Sequence, residues 1–131
     1  MQKKRRVVVT GLGVVSPIGN TVQDFWKSLI EGKSGVRRLS CFDPTHFTSK
    51  IAAEVKDFDP SKYLSPKEIK RMDRFVQFAV VSSKMAVEDS GLDLEKADRN
   101  RIGVMVGSGI GGLHTVESEH EIGRASCRER V

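Results

Sequence analysis

Cysteine is scarce in this 131-residue chain: there are two, Cys41 and Cys127, far apart in sequence. That number and spacing exclude a disulfide framework and a clustered zinc site. The three histidines, His46, His114 and His120, have no metal-like grouping. No metal is therefore expected, and each histidine reads as a loop or surface residue. No apolar run is long enough to cross a bilayer. Met1–Arg6 has the charge of a signal peptide's first region, but the apolar stretch behind it is only Val7-Val8-Val9 before Thr10 and Gly11. A secretory core needs more than that, so a cytoplasmic, non-membrane protein is expected.

The composition itself is ordinary for a soluble domain, with 38% hydrophobic and 30% charged residues, which argues against disorder. The net charge of +5 is a property of the ends. Residues 1–6 contribute four cations, and residues 122–131 three arginines and one glutamate, which leaves residues 7–121 at −1. A nucleic-acid binder concentrates its charge on one folded face, so no nucleic-acid partner is expected.

Arg6-Val7-Val8-Val9-Thr10 is a β-branched run stopped by Gly11, the pattern of a buried strand in a parallel sheet. A glycine-punctuated loop through Gly13, Ser16, Pro17 and Gly19 follows. A helix is predicted from Asn20, with Gln23 completing a capping box, an apolar stripe of Phe25, Trp26, Leu29 and Ile30, and Gly32 past its end. Ile51–Val55 reads as a short strand and Asp57–Pro60 as a turn. The best-marked helix begins at Ser65, with Pro66 at its first position and Glu68 as capping partner. Ile69, Met72, Val76, Ala79, Val80, Ser83 and Ala86 share one face, and Gly91 ends the run. Asp73 is able to restart the helix, so a kink is predicted near Met72. Arg101–Gly107 is a second buried-type strand, and a further helix begins near Leu113. The order strand, helix, helix, strand, helix implies an α/β fold with a parallel sheet.

Three motifs are candidates for chemistry. Gly11-Leu12-Gly13, between a strand and a helix, invites a dinucleotide reading, but that fingerprint needs glycine where Ser16 stands, and Pro17 removes a backbone donor. Gly107-Ser108-Gly109-Ile110-Gly111-Gly112 places four glycines in six positions. It is either a sharp strand-to-helix turn or a loop that brings backbone close to a ligand; no Walker lysine follows. Lys67, Lys70 and Arg71 are either a solvated helix face or a docking patch for an acidic partner. Cations near a helix N-terminus oppose the macrodipole, which favours the second reading.

Taken in order, Arg6–Gly13, Ser16–Asn20, Lys56–Phe58, Arg71–Phe75 and Gly107–Gly112 resemble the N-terminal part of the beta-ketoacyl-acyl-carrier-protein synthases, nearest the type II elongating enzyme. The resemblance spans residues 5–121. It implies a thiolase-like fold of two α/β halves in a homodimer, of which this chain holds the opening part of the first half. It implies a decarboxylative condensation of an acyl group on a cysteine with malonyl-carrier protein, without a cofactor. It places Ile110, with Gly109, beside the acyl pocket, and Lys67, Lys70 and Arg71 at the dock for acyl- and malonyl-loaded acyl-carrier protein.

The family's catalytic cysteine and two histidines do not map onto this sequence. Flanking arginines favour a thiolate at Cys127, but the family cysteine precedes small residues, whereas Arg128 and Glu129 follow Cys127. The chain is therefore expected to be inactive alone. Two segments are expected: residues 1–121 as the family domain's opening part, and residues 122–131 as a tail unlike the family. The codons ATC GGA AGA GCG, the start of a common sequencing-adapter read, encode Ile122–Ala125, so the tail is expected to be an assembly artefact.

Overall fold

The structure, a computed structural model, describes residues 5–128, with side chains through Ile122. Its central element is helix α3, Arg74–Ser90, joined through Met72 and Asp73 to the short helix α2, Pro66–Arg71. Helix α1, Val22–Ile30, precedes them and α4, Leu113–Arg128, follows. Between α1 and α2 lie strands β1, Val36–Arg38, and β2, Ile51–Ala53, paired antiparallel with Arg37 opposite Ala52.

Local signals account for most boundaries. Ser65 Oγ accepts from the Glu68 backbone N–H while the Glu68 carboxylate accepts from the Ser65 N–H at 2.8 Å, the reciprocal box that starts α2. The run breaks at Met72, whose backbone is extended, and Asp73 opens α3. Gly91, in the left-handed region at φ 65°, closes α3, and Gly32, also at φ 65°, follows α1. The cap of α1 differs from expectation by one residue. Thr21, not Asn20, accepts from the Asp24 N–H at 3.1 Å, and the Asn20 amide instead donates to the Lys56 carbonyl at 2.9 Å. The α1 stripe also faces outward: Trp26 is 62% exposed, while Ser28 is buried and Phe25 half-buried.

The parallel sheet is the main departure. Among the described residues the antiparallel pair β1–β2 is the only sheet. Val7–Thr10 and Ile102–Gly107 join no ladder, and Met105 is 98% exposed. Arg101 belongs to a 3-10 turn over Arg99–Arg101. Parallel strands depend on neighbours brought by crossover connections and on cover for both faces. Both segments are apolar on both sides and have neither. Strand β1 has no mark in the sequence, since three exposed residues, two of them arginine, carry no periodic signal.

Packing onto α3 is nonetheless specific. Ser82, Ala86 and Ser90 recur every four residues and present a row of small side chains. The Gly11–Gly13 backbone lies in that row so closely that a Cβ on Gly13 would stand 1.9 Å from the Ser82 carbonyl oxygen, and one on Gly11 would stand 2.2 Å from that of Ala86. The Leu12 N–H donates to Asp89 at 2.8 Å and fixes the register. Across α3, Arg74 donates to the Val55 carbonyl at 2.8 Å, with its guanidinium 5.3 Å from the centroid of the Phe78 ring, and Phe58 meets Phe78 edge-on at 4.8 Å. Val81 is 1% exposed, and Leu64 is likewise buried.

These contacts predict opposite outcomes at two glycines. Gly13→Ala meets backbone that cannot yield, so it should destabilise the fold by about 3 kcal/mol. Gly103→Ala has nothing within 4 Å and should change stability by less than about 0.5 kcal/mol. Thermal midpoints and soluble yields of the two variants check this.

Candidate functional site

Lys67, Lys70 and Arg71 are all exposed on α2, and none forms an ion pair with any described residue. Because α2 ends at Arg71, Lys70 and Arg71 occupy its last turn, where the macrodipole favours cations. The placement of Lys70 and Arg71 therefore costs nothing, while Lys67, in the first turn, opposes the macrodipole.

The Gly107–Gly112 loop runs to the start of α4 and folds back onto the α2–α3 joint. The Phe75 ring fills the space beside Gly111, where a Cβ would meet it at 2.5 Å. Gly112, at φ 75°, adopts a conformation that side chains disfavour, and a Cβ there would stand 3.0 Å from Asp73 Oδ2. Asp73 Oδ1 accepts a hydrogen bond from Thr115 Oγ1 in the first turn of α4. Next to this junction, Phe75, Val76, Ala79 and Val80 of α3 face Val104 and Val106 across an apolar cleft of ≈ 510 Å³. Ile110 and Gly109 stand outside that lining, and Ile110 is 76% exposed.

The sequence reading missed Asp73, Phe75 and Thr115 as parts of this junction. A tolerance for glycine opposite an aromatic ring leaves no local pattern when the partners are separated by 36 positions or more. Only the doubled Gly111-Gly112 hinted at a close approach.

Other titratable groups are otherwise engaged. The loop that invited a nucleotide closes on itself: the Ser16 N–H donates to the Gly19 carbonyl at 3.0 Å, Gly19 N–H donates to that of Ser16 at 3.3 Å, and Ile18 N–H donates to Ser16 Oγ. Those N–H groups are used and do not form a phosphate cradle. Cys41 is exposed, and hydrogen bonding to the Glu54 carboxylate pushes its thiol pKa up, which opposes nucleophilic character. The side chain of Cys127 lies outside the described residues, as do those of most of the tail. Among the described residues no His, Cys, Asp and Glu group could hold a metal ion.

A family model of the beta-ketoacyl synthase N-terminal domain matches residues 4–129. The chain belongs to the beta-ketoacyl synthase family. It is 52% identical over 119 residues to 3-oxoacyl-acyl-carrier-protein synthase 2 of Coxiella burnetii, covering 91% of this chain and 29% of that protein. The corresponding protein of Vibrio harveyi is 48% identical, with 89% and 28% covered. Among solved structures, the ishigamide ketosynthase/chain length factor superposes with a TM-score of 0.64 at 40% identity, over 71% of this chain and 23% of that one. A type II polyketide acyl-carrier protein in complex with its hexaketide-bound ketosynthase gives 0.56 at 30% identity, over 75% and 24%. The chain thus spans under a third of the curated relatives it matches.

Within the beta-ketoacyl synthase family, the expected class, an incomplete thiolase-like α/β fold, holds, although the sheet is represented here by an antiparallel pair and two unladdered segments.

The turn at Cys41 yields a pH prediction. Ser40 Oγ donates to Glu54 at 2.5 Å, the Ser40 and Cys41 N–H groups donate at 3.0 Å, and together they lower the Glu54 pKa from 4.5 to about 2. A depressed acid stabilises the fold fully above its unfolded value and ceases to as pH falls through its folded value. The Ser40 and Cys41 amide resonances should therefore hold steady above pH 4.5 and shift as pH falls toward about 2. Glu54→Gln should abolish that transition and make Cys41 alkylate several-fold faster at pH 8. Unchanged alkylation would show that Glu54 does not govern the thiol.

Proposed function

We propose that this chain is the opening portion of a beta-ketoacyl-acyl-carrier-protein synthase that elongates fatty acids. In that reaction an acyl group passes from acyl-carrier protein to a cysteine thiolate, and malonyl-carrier protein loses carbon dioxide. The resulting carbanion attacks the thioester carbonyl, and the cysteine thiolate leaves. The developing charges need positioned donors, supplied in the family by two histidines and backbone N–H groups. No such cysteine or histidine maps onto this sequence, so the chain alone is inactive, and sequence outside these residues supplies the reactive centre. Its roles are to seat the carrier and to frame the acyl pocket. A homodimeric assembly and a cytoplasmic location follow from the same reading. The division at residue 121, with 122–131 as a foreign tail, rests on the codon match alone, because the family model runs on to residue 129.

The observation that carries this reading is the junction itself. The helix that holds Lys67, Lys70 and Arg71 ends two residues before α3, which lines the apolar cleft and against whose Phe75 the glycine loop packs. A cationic dock beside an apolar chamber suits an acidic carrier that delivers a fatty chain. The identities of 40–52% to curated 3-oxoacyl-acyl-carrier-protein synthases support the fatty-acid reading.

A chimera tests the proposal. Residues 5–121 should replace the matching segment of the Coxiella burnetii enzyme and yield a dimer that condenses acyl and malonyl carriers. A folded dimer without condensation would overturn the reading. The exposed triplet also suits a second reading, a carrier-binding module without catalysis. In that case this chain alone binds acyl-carrier protein in a salt-sensitive complex abolished by Lys70→Glu with Arg71→Glu, and the chimera stays silent.

A further inference from the structure

We infer that Asp73 is a positioning residue that ties the seat of the carrier on α2 to the glycine loop beside the acyl cleft. The inference rests on the function proposed above and adds a means of communication between its two sites.

The joint between α2 and α3 is stiff. Only Met72 and Asp73 separate the helices. Gln77, on the first turn of α3, donates its amide to the carbonyls of Ile69 at 3.1 Å and Met72 at 2.9 Å. The carbonyls that a helix leaves open at its C-terminus are here held by the next helix. A shift of α2 is therefore carried into the start of α3.

Asp73 then hands that position on. An aspartate at an N-cap ordinarily accepts from the N–H groups of its own helix. Asp73 makes no side-chain cap bond to α3. Its carboxylate reaches 42 residues along the chain to the Thr115 hydroxyl and abuts Gly112. The Phe75 ring, two residues on, occupies the space beside Gly111. The loop that holds Gly109 and Ile110 is thus gripped at its C-terminal end by the first residues of α3. From the cationic triplet the path runs through the joint to Asp73, and from Asp73 by direct contact to Gly112 and Thr115.

A mere strut would lower activity on every substrate alike. A relay from the docked carrier affects only substrates that arrive on the carrier. The test uses the chimera and compares kcat/KM for one acyl group carried on acyl-carrier protein with the same group on a small pantetheine thioester. Asp73→Ala and Thr115→Val should each lower the carrier-borne value by about tenfold and the small-thioester value by less than about twofold. Thr115→Ser, which keeps the hydroxyl, should restore the carrier-borne rate. Lys70→Glu combined with Asp73→Ala should lose less than the product of the single effects, because both act on one path. Equal losses on both substrates, or effects that multiply, would overturn the relay while leaving the synthase reading intact. A folded parent chimera that condenses neither substrate would defeat the synthase reading, and the relay with it.

Discussion

The arrangement depends on how closely two glycine-led backbones approach helix α3. At Gly13 the backbone lies where even one methyl group would stand 1.9 Å from a carbonyl of the helix, and at Gly111 one would stand 2.5 Å from the Phe75 ring. At Gly13 the contact is with backbone that cannot yield, so glycine is required there and α3 must offer small residues in return; at Gly111 a side chain would have to push the Phe75 ring aside. The row Ser82, Ala86, Ser90 meets the first backbone on one side and Phe75 meets the second on the other. Helix α3 thereby becomes the axis on which the segments before and after it are registered.

That axis explains where the candidate site sits. The α2 cations stand at one end of α3, the apolar cleft runs along its first three turns, and the glycine loop closes on the same joint. Sites assembled from different parts of a chain need a rigid element to hold their spacing, and α3 with its Gln77 and Asp73 contacts supplies it. The large exposed apolar side chains, among them Val7, Val104, Met105 and Trp26, fit the same picture. If the chain is part of a synthase, as proposed above, other elements cover these side chains.

Local chemistry was legible and distant pairing was not. The capping box of Ser65 and Glu68, the break at Met72, the αL glycine at position 91 and the start of α4 at Leu113 all follow from residues within one helical turn of each other. The cap of α1 fell one residue late, on Thr21, because two adjacent residues both had capping side chains and Asn20 found a tertiary partner. The parallel strands were read from composition, but a ladder needs a neighbour that composition does not supply. At the site, Lys67, Lys70 and Arg71 were visible as a triplet, while the sign of their dipole interaction depended on where α2 ends. The grip of Asp73 on Thr115 depends on a fold-dependent meeting of residues 42 apart.

The function proposed above implies that Val7–Thr10 and Gly103–Gly107, which join no ladder in this chain, pair as strands with partners outside these residues. Backbone hydrogen exchange, measured on this chain and on the chimera with the Coxiella burnetii enzyme, tests it directly. The account predicts that amides of both segments exchange near the free-peptide rate in the chain alone, while the Val81 amide is protected, and that both segments become strongly protected in the chimera. Protection of both segments in the isolated chain at the level of α3, or free exchange in an active chimera, would contradict it.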